Sequence, residues 1–403
     1  MKKVKMLLPT YVDKFRCIGG KCEDNCCIGW DIDIDKETFK KYHKVEDEHM
    51  RRMLQKGVHN NPDCTNEKLD YGRIKLNKEK RCPFLDENNF CSVQGKYGED
   101  YLSSVCSQYP RVVNKIDDYY EMSIDMGCPE VARIILGSTE KISFEETERS
   151  LGKYTMAGIL DTRIDEFKNT PIKYFKEIRD FSIKIMQSRN LDLSRRLYVL
   201  GDFINKLDDA ANISIDDLQQ IIEEYDIESE AESFERENMN YVLQVSFLND
   251  LLDTLNIKND NDKIKEYSNQ LVHVFELNEN SNIAQNANKY ISSFEKYIND
   301  CMEGNSHIFE NYIVNFIYNN LFPFSESDYM FDGYIMLLLR YSLMRFYLVG
   351  IDSHKGIRSS EDIIKFIHVF AKTIEHNINY RMDILGYIKE NGFDNMEFAK
   401  SLI

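Results

Sequence analysis

Nine of the ten cysteines in this 403-residue chain lie before residue 129, and only Cys301 lies beyond them. Four thiols fall in the short stretch from Cys17 to Cys27. The surrounding sequence is rich in loops, and a small loop-rich unit buries too little apolar surface to be stable without a cross-link. The first third of the chain is therefore expected to fold around a framework of sulfur ligands or disulfides.

The redox state of these thiols depends on the cell compartment, and targeting signals in the sequence indicate the compartment. The apolar run in "MKKVKMLLPTYVDKF" stops at Pro9, and no small-residue cleavage site follows it, so a signal peptide is not expected. The apolar stretch from Tyr334 to Gly350 carries two arginines and is too short and charged to span a bilayer. We predict a cytoplasmic protein without membrane insertion, in which reduced cysteines favour metal binding over disulfides.

The spacing of the thiols indicates a thiolate-bound metal centre. The first group has the spacing C-x4-C-x3-C-C, and the second has the spacing C-x8-C-x14-C with one more cysteine after 21 intervening residues. Soft sulfur ligands suit zinc and iron–sulfur clusters. Neither zinc-finger knuckles nor ferredoxin spacings match, so one cluster with spare thiols and two separate centres both stay open. The predicted metal ligands are Cys17, Cys22, Cys26, Cys27, Cys82, Cys91, Cys106 and Cys128.

Other potential ligands are assigned structural roles. Cys64 and Cys301 stand alone and are interpreted as isolated thiols. The histidines His43, His49 and His59 have no ligand spacing and are interpreted as surface side chains. No cysteine has an identifiable histidine or asparagine partner in the sequence, so a cysteine nucleophile is not predicted.

Two regions with different patterns divide the chain into a cysteine-cluster metal-binding domain at 1–133 and an α-helical domain at 134–403. The first has a predicted helix from Lys36 to Gln55, strands in "YGRIKLN" and "YYEMSIDM", and a turn over Asp86–Asn89. Pro129 suits a first helical turn, and about eight amphipathic helices follow, one of them capped by Thr170. The predicted fold is mainly α: a small loop-rich α+β unit followed by an α-helical bundle.

The net charge of −17 comes from the second region. Residues 1–133 contain 23 basic and 23 acidic side chains, whereas residues 134–403 contain 28 and 45. This acidic balance excludes nucleic acid as a natural partner. It would attract a lysine-presenting partner, but we interpret it first as an acidic face that keeps the protein soluble.

Several sequence blocks resemble those of a known family. "FRCIGGKCEDNCCIGWDIDIDKETFKKY", "CPFLDENNFCSVQ", "GEDYLSSVCSQYPR" and "CPEVARIIL" look like the signature blocks of the flagellin lysine N-methylase family. That family is similar to a broader group with CxxCxxCC-type zinc- or iron-chelating domains. "NNLFPF", "RYSLMRFYLVG" and "IEHN" extend the resemblance over most of the chain, with the specific motifs concentrated in residues 15–133.

The resemblance implies an S-adenosylmethionine-dependent methylase that acts on lysine ε-amino groups of flagellin with a [4Fe–4S] cluster, zinc being the alternative metal. The eight cysteines named above then become the candidate cluster ligands, and the resemblance does not select four of them. No glycine-rich turn of a doubly wound nucleotide-binding sheet is present, and the spacing departs from C-x3-C-x2-C. Two non-methylase interpretations remain: a zinc-stapled helical scaffold that binds exported proteins, and an iron–sulfur redox protein.

A few residues near the motifs are interpreted as structural, each with a functional alternative. Trp30 is expected to pack on the metal loop, with a lysine-facing aromatic wall as the alternative. The alternating aspartates in Asp31–Asp35 are expected to lead into a helix cap, with a role as base or ribose ligand for one of them as the alternative. Arg111 is expected to fix the loop after Cys106, or to hold a carboxylate in bidentate fashion. The segment 375–377 is expected to cap or pair inside the helical bundle.

Overall fold

The computed structural model of the protein describes residues 3–29, 31–234, 240–254, 262–277, 282–375 and 378–403. The chain divides into two compact units. The cysteine unit comprises Met1–Val131 and Ser143–Leu160, and the helical unit comprises Ala132–Ile142 and Asp161–Ile403. The described residues contain seventeen α-helices and eight strands, which confirms the predicted mainly α fold with a small α+β part near the N-terminus.

Two small sheets lie in the cysteine unit. The larger has five strands in the order β7-β1-β6-β5-β8, and the smaller has the order β2-β4-β3. The strands are β1 (Lys3–Pro9), β2 (Asp33–Ile34), β3 (Val58–Asn60), β4 (Gly72–Ile74), β5 (Arg111–Ile116), β6 (Tyr119–Ile124), β7 (Phe144–Ser150) and β8 (Gly158–Leu160).

The larger sheet joins distant segments. β1 pairs with β6 in parallel and with β7 in antiparallel orientation, and a turn through Asp117 joins β5 to β6. In β1, Met6 and Leu8 are buried and Lys3 and Lys5 face outward, the alternation expected of a strand with one covered face. Strands were predicted at the positions of β4 and β6, and both predictions are confirmed.

The helices that begin in the cysteine unit are short. They are α1 (Lys36–Tyr42), α2 (Glu48–Gly57), α3 (Ser92–Tyr97), α4 (Ser104–Gln108) and α5 (Pro129–Leu136). Pro129 opens α5 as predicted.

The single helix predicted from Lys36 to Gln55 is wrong, because the chain forms α1 and α2 there instead. α1 ends at Tyr42, and Asp47 starts a new helix by accepting a hydrogen bond from the Met50 backbone N–H. An aspartate at this position satisfies one of the N–H groups left without a partner at a helix start. The buried Val45 lies between the two helices, so the break is anchored by packing as well as by the cap.

Twelve further helices form the described part of the helical unit. They are α6 (Phe175–Met186), α7 (Leu193–Ala211), α8 (Asp217–Glu224), α9 (Ile227–Ala231), α10 (Tyr241–Thr254), α11 (Asp262–Phe275), α12 (Ile283–Tyr297), α13 (Glu303–Asn319), α14 (Met330–Lys355), α15 (Ser360–Phe370), α16 (Ile378–Glu390) and α17 (Met396–Leu402).

The expected cap at the first of these helices is wrong. The Thr170 hydroxyl donates to the carbonyl of Phe167 instead of accepting from a helix N–H. Pro171–Tyr174 forms a 3₁₀ turn, and α6 begins only at Phe175. The tighter turn suits a segment that opens with proline, because proline has no N–H to contribute.

The core of the helical unit is organised around α14, which packs against α7, α11 and α12. In the described part of the chain it is the one helix long and apolar enough to cross a membrane, and its most apolar 18-residue window is completely buried in the protein. Tyr334 of α14 donates a hydrogen bond to the carbonyl of Leu197, 3.0 Å away. The contact requires glycine at position 201, where a Cβ would lie 2.3 Å from the tyrosine ring.

A buried ion-pair network joins three helical segments of this unit. The carboxylate of Glu310, which is completely buried in α13, accepts hydrogen bonds from Arg189 and from Arg196 of α7. Arg196 is also buried and donates to the carbonyl of Met186. Each charge therefore has a partner of opposite sign or a carbonyl, as burial requires.

We predict that Glu310→Gln destabilises the helical unit strongly. The amide keeps the size of the side chain but leaves two arginines without their shared counter-ion, and losing one partner of a buried pair costs about 3 kcal/mol or more. The control is Glu361→Gln, which breaks an exposed pair with Lys365 and should cost less than about 1 kcal/mol. Urea unfolding followed by circular dichroism measures both, and equal losses would contradict a stabilising role for the network.

Candidate metal centre

The eight predicted metal ligands all lie in the cysteine unit, and seven of them line two cavities. The small cavity, of about 120 Å³, is lined by Cys17, Cys22, Cys26, Cys27, Cys91 and Cys128. The large cavity, of about 400 Å³, is lined by Cys17, Cys26, Cys27, Cys91 and Cys106. Four thiols therefore line both cavities.

Cys82 belongs to the same neighbourhood although it lines neither cavity. Its backbone N–H donates to the carbonyl of Cys27 at 2.9 Å, and its side chain is buried in the apolar core of the unit. Cys27, Cys91 and Cys106 pack against that core. The thiols of both sequence groups are thus brought together from four separate segments of the chain.

The Asn25 side chain connects the first two thiol-bearing segments of the chain. Asn25 accepts from the backbone N–H of Cys27 at 2.9 Å and donates to the carbonyl of Asn89 at 3.1 Å. The backbone of Gly20 approaches so closely that a Cβ there would lie 2.2 Å from the carbonyl oxygen of Asn88. A larger residue at position 20 would therefore push these segments apart.

The turn predicted over Asp86–Asn89 is confirmed. The Asp86 carboxylate accepts from the backbone N–H groups of Asn88 and Phe90, and Asn89 adopts a positive φ of 62°. Asparagine tolerates this left-handed conformation better than most residues. The turn folds the chain back so that Cys91 lies beside Leu85 in a short antiparallel bridge.

Asp35 positions the segment that carries Cys106. Its carboxylate accepts from the Thr38 N–H at 2.8 Å, which caps α1, and from the N–H and hydroxyl of Ser104 at 3.0 and 3.2 Å. The helix cap expected at the end of the aspartate series is therefore confirmed. Ser103 caps α4 by accepting from the Cys106 N–H. One buried carboxylate thus ties the start of α1 to the start of α4.

Burial makes the ionised form of these thiols costly. It raises the pKa of Cys82 to about 11 and the pKa values of Cys106 and Cys128 to about 12. A hydrogen bond with Cys26, together with burial, raises the pKa of Cys27 further. Neighbouring thiols act in the same direction, since one thiolate opposes the ionisation of the next. Several thiolates could coexist here only beside a compensating positive charge.

The donor set fits a soft metal, because the cavities are lined by sulfur and a cation is what lets clustered thiols ionise. Within the described ranges, however, no three His, Cys, Asp or Glu side chains are gathered closely enough to hold a metal ion. The structure therefore shows proximity of the eight thiols and not a coordination geometry. Their assignment as metal ligands stays a prediction.

The remaining sequence candidates lie elsewhere. The Cys64 thiol donates to Asp70, and Cys301 lies in the helical unit beside Asp352. Neither lines the two cavities. A ring nitrogen of His43 bonds the carbonyl of Phe39. Trp30, His376 and Asn377 lie outside the described residues.

The large cavity also contains residues that sequence reasoning did not select. Phe15 and Glu99 lie inside two of the quoted sequence blocks, but neither belongs to a ligand spacing pattern, and only the fold shows that both line this cavity. Asp31 and Arg111 were named from sequence, and both line this cavity. The site therefore combines thiols, an aromatic ring and side chains of both charges.

Comparisons with known proteins identify the class of protein. A model of the FliB lysine N-methylase C-terminal domain matches residues 179–402. Two proteins named lysine-N-methylase are each 24% identical to this chain: that of Salmonella typhimurium strain LT2 over 402 residues and that of Salmonella choleraesuis strain SC-B67 over 398. Each match covers 94% of this chain and 93% of the relative.

A third relative is named flagellar biosynthetic protein FliU, from Salmonella muenchen. It is 33% identical over 161 residues, which cover 39% of this chain and 90% of that protein. No solved structure matches the chain.

These matches define the protein as a lysine N-methyltransferase, a class that the fold alone would not reveal. Specifically, the chain belongs to the FliB lysine N-methylase family. The resemblance stated from the sequence motifs is thereby confirmed.

We predict that Asp35→Ala loosens the cysteine unit. Removing a buried carboxylate that accepts three hydrogen bonds should lower the free energy of unfolding by about 3 kcal/mol at pH 7. Asp33→Ala is the matched control, because Asp33 makes only a partly exposed pair with Arg73 and should cost less than about 1 kcal/mol.

The Asp35 effect should depend on pH. Burial raises the pKa of Asp35, but hydrogen bonds from Thr38 and Ser104 lower it more, so the net pKa lies below the ordinary 3.8. The stabilisation is therefore present above pH 3.8 and is lost as the pH falls through the lower native pKa. Urea unfolding at pH values from about 3 to about 7 should show the free energy of unfolding of the wild type approaching that of the variant at the acid end. A gap that stays constant over this range would contradict the assignment.

Proposed function

We propose that this protein acts in the cytoplasm and transfers methyl groups from S-adenosylmethionine to lysine ε-amino groups of flagellin. We also propose that some of the eight clustered thiols hold a [4Fe–4S] cluster. The observation that carries the proposal is the match to lysine-N-methylases over nearly the whole chain. The flagellar name of the third relative supports flagellin as the substrate.

The chemistry sets clear requirements for the protein. The sulfonium methyl carbon must lie in line with a neutral lysine nitrogen at about 3 Å, and water must be excluded. The C–S bond breaks as the C–N bond forms, so the donor leaves as a neutral thioether and the nitrogen becomes a methylated ammonium. Since lysine is protonated at neutral pH, with an ordinary pKa of about 10.4, its proton must first pass to a base.

The large cavity of the cysteine unit offers groups for these tasks. Buried Phe15, Ile32 and Leu102 supply apolar walls that exclude water. Asp31 and Glu99 are carboxylates that can attract a lysine ammonium and accept its proton. In this proposal, water exclusion and proton acceptance are both carried out by groups beside the thiols and not on a nucleotide-binding sheet.

A bound cluster would supply positive charge that stabilises thiolates and covalent cross-links between the thiol-bearing segments. Cys27, Cys82, Cys91 and Cys106 are the candidates that pack on the apolar core, and Cys17, Cys22, Cys26 and Cys128 are the remaining candidates. Zinc is the alternative metal, because it accepts the same thiolate ligands.

The direct test is a methylation assay. Protein purified anaerobically is incubated with S-adenosylmethionine and flagellin, and flagellin peptides are analysed by mass spectrometry. We expect lysine-containing peptides to gain mass in steps of one CH₂ unit, and we expect no gain when the methyl donor is omitted. Unchanged flagellin after incubation with metal-loaded, reduced protein would contradict the proposed function.

The metal assignment is tested by comparing two cysteine variants. We predict that Cys106→Ser loses most of the bound iron and the visible absorbance of the cluster, because Cys106 lines the large cavity and packs on the core. The matched control Cys64→Ser should keep both, since Cys64 lines neither cavity.

Metal content by mass spectrometry and visible spectra provide the measurements. Equal iron content in the wild type and in both variants would show that Cys106 is not a ligand. Zinc in place of iron would contradict the cluster while leaving the thiol site in place.

A further inference from the structure

Arg111 holds an unusual position at the start of β5. Its guanidinium carbon lies 5.6 Å from the centre of the Phe15 ring, and the side chain is half-buried at the edge of the large cavity. Phe15 is itself buried, so the ring provides a fixed surface. Among the residues that the structure describes, no side chain or backbone group forms a hydrogen bond or ion pair with this guanidinium.

The other charged groups of the cavity separate into two kinds. Arg16 donates to the backbone carbonyls of Asp13 and Phe15, at 2.9 and 2.6 Å. Asp31 and Glu99 line the cavity, and in the described part of the chain no hydrogen bond or ion pair engages either carboxylate. One cation, Arg111, and two carboxylates are therefore available to a ligand.

This arrangement is complementary in charge to S-adenosylmethionine. The methyl donor carries one carboxylate, one ammonium and one sulfonium, whereas the cavity offers one guanidinium and two carboxylates. The volume of about 400 Å³ lies in the range typical of small-molecule sites. Apolar side chains and thiols form much of the remaining wall, where they suit a nucleoside and a methylene chain.

We propose that Arg111 is a donor-binding residue whose guanidinium binds the carboxylate of the methyl donor in bidentate fashion. One of the two carboxylates, Asp31 or Glu99, then suits the positively charged groups of the donor, and the other remains for the lysine. Contact with the buried Phe15 ring restrains the guanidinium, so little side-chain freedom is lost on binding. This inference rests on the proposed function, because it assigns a residue to the donor of that reaction.

The proposal makes a specific claim about which part of the donor Arg111 contacts. Arg111 binds the amino-acid part of the methyl donor and makes no contact with its nucleoside part. A bidentate arginine–carboxylate contact contributes two charge-assisted hydrogen bonds, so its loss should weaken binding roughly 10- to 100-fold. A ligand that lacks the carboxylate should not respond to the substitution.

The experiment compares two product-like ligands on the full-length, metal-loaded protein by isothermal titration calorimetry. S-adenosylhomocysteine carries the amino-acid part, and 5′-methylthioadenosine lacks it. We expect the wild type to bind the first more tightly than the second. We expect Arg111→Gln to weaken S-adenosylhomocysteine binding roughly 30-fold and to leave methylthioadenosine binding unchanged.

Two further variants complete the test. Arg111→Lys keeps the charge but not the planar fork, so its affinity for S-adenosylhomocysteine should lie between those of the wild type and Arg111→Gln. If Arg111→Gln does not fold, the affinities of Arg111→Lys for the two ligands are compared with those of the wild type instead. Arg52→Gln is the matched control, because Arg52 is an exposed arginine of the same unit that pairs with Glu48, and its binding should equal that of the wild type.

Two results would overturn the inference while the proposed function stands, provided that the wild type methylates flagellin. One is Arg111→Gln with wild-type affinity for S-adenosylhomocysteine. The other is an equal loss of affinity for both ligands, which would make Arg111 a residue that only shapes the cavity. A wild-type protein that binds neither ligand and leaves flagellin unmodified would overturn both proposals.

Discussion

The cost of ionising neighbouring buried thiols is the constraint on which the cysteine unit depends. Burial raises the pKa of Cys82, Cys106 and Cys128 to about 11 or 12, so at neutral pH these groups remain protonated without a nearby cation. The same segments have only short helices and strands around a modest apolar core. A metal that lowers these pKa values would therefore stabilise the fold at the same time.

The helical unit is stabilised by other interactions than the cysteine unit. Its long central helix α14 is buried, and its few internal charges are matched, as in the network around Glu310. Such a body needs no metal to bury its apolar surface. The family model matches residues 179–402 within this unit, whereas the clustered thiols lie in the cysteine unit. The family model therefore matches the helical unit alone, whereas the matches to the two lysine-N-methylases span both units and the proposed metal chemistry belongs to the cysteine unit.

Sequence reasoning succeeded where the determining interactions are local. The Asp86–Asn89 turn and the start of α5 at Pro129 depend on residues close in the chain. The strands β4 and β6 were recognisable from their own residues, although each also pairs with a strand that is distant in the chain. It failed for β1, whose partner β7 begins more than a hundred residues later, and it did not identify α11. The split between α1 and α2 was missed because the apolar pattern continues through the break and the cap at Asp47 is a finer signal. The cysteines that line the cavities were all candidates, but the unengaged guanidinium of Arg111 and the presence of Glu99 depend on tertiary geometry.

The central claim is that thiols from separate segments bind one kind of inorganic centre. X-ray absorption spectroscopy at the iron edge of anaerobically purified protein tests it most directly, because it reports the atoms bound to the metal. The account predicts a first coordination shell made of sulfur alone. A shell of nitrogen and oxygen, or protein that contains neither iron nor zinc, would contradict it.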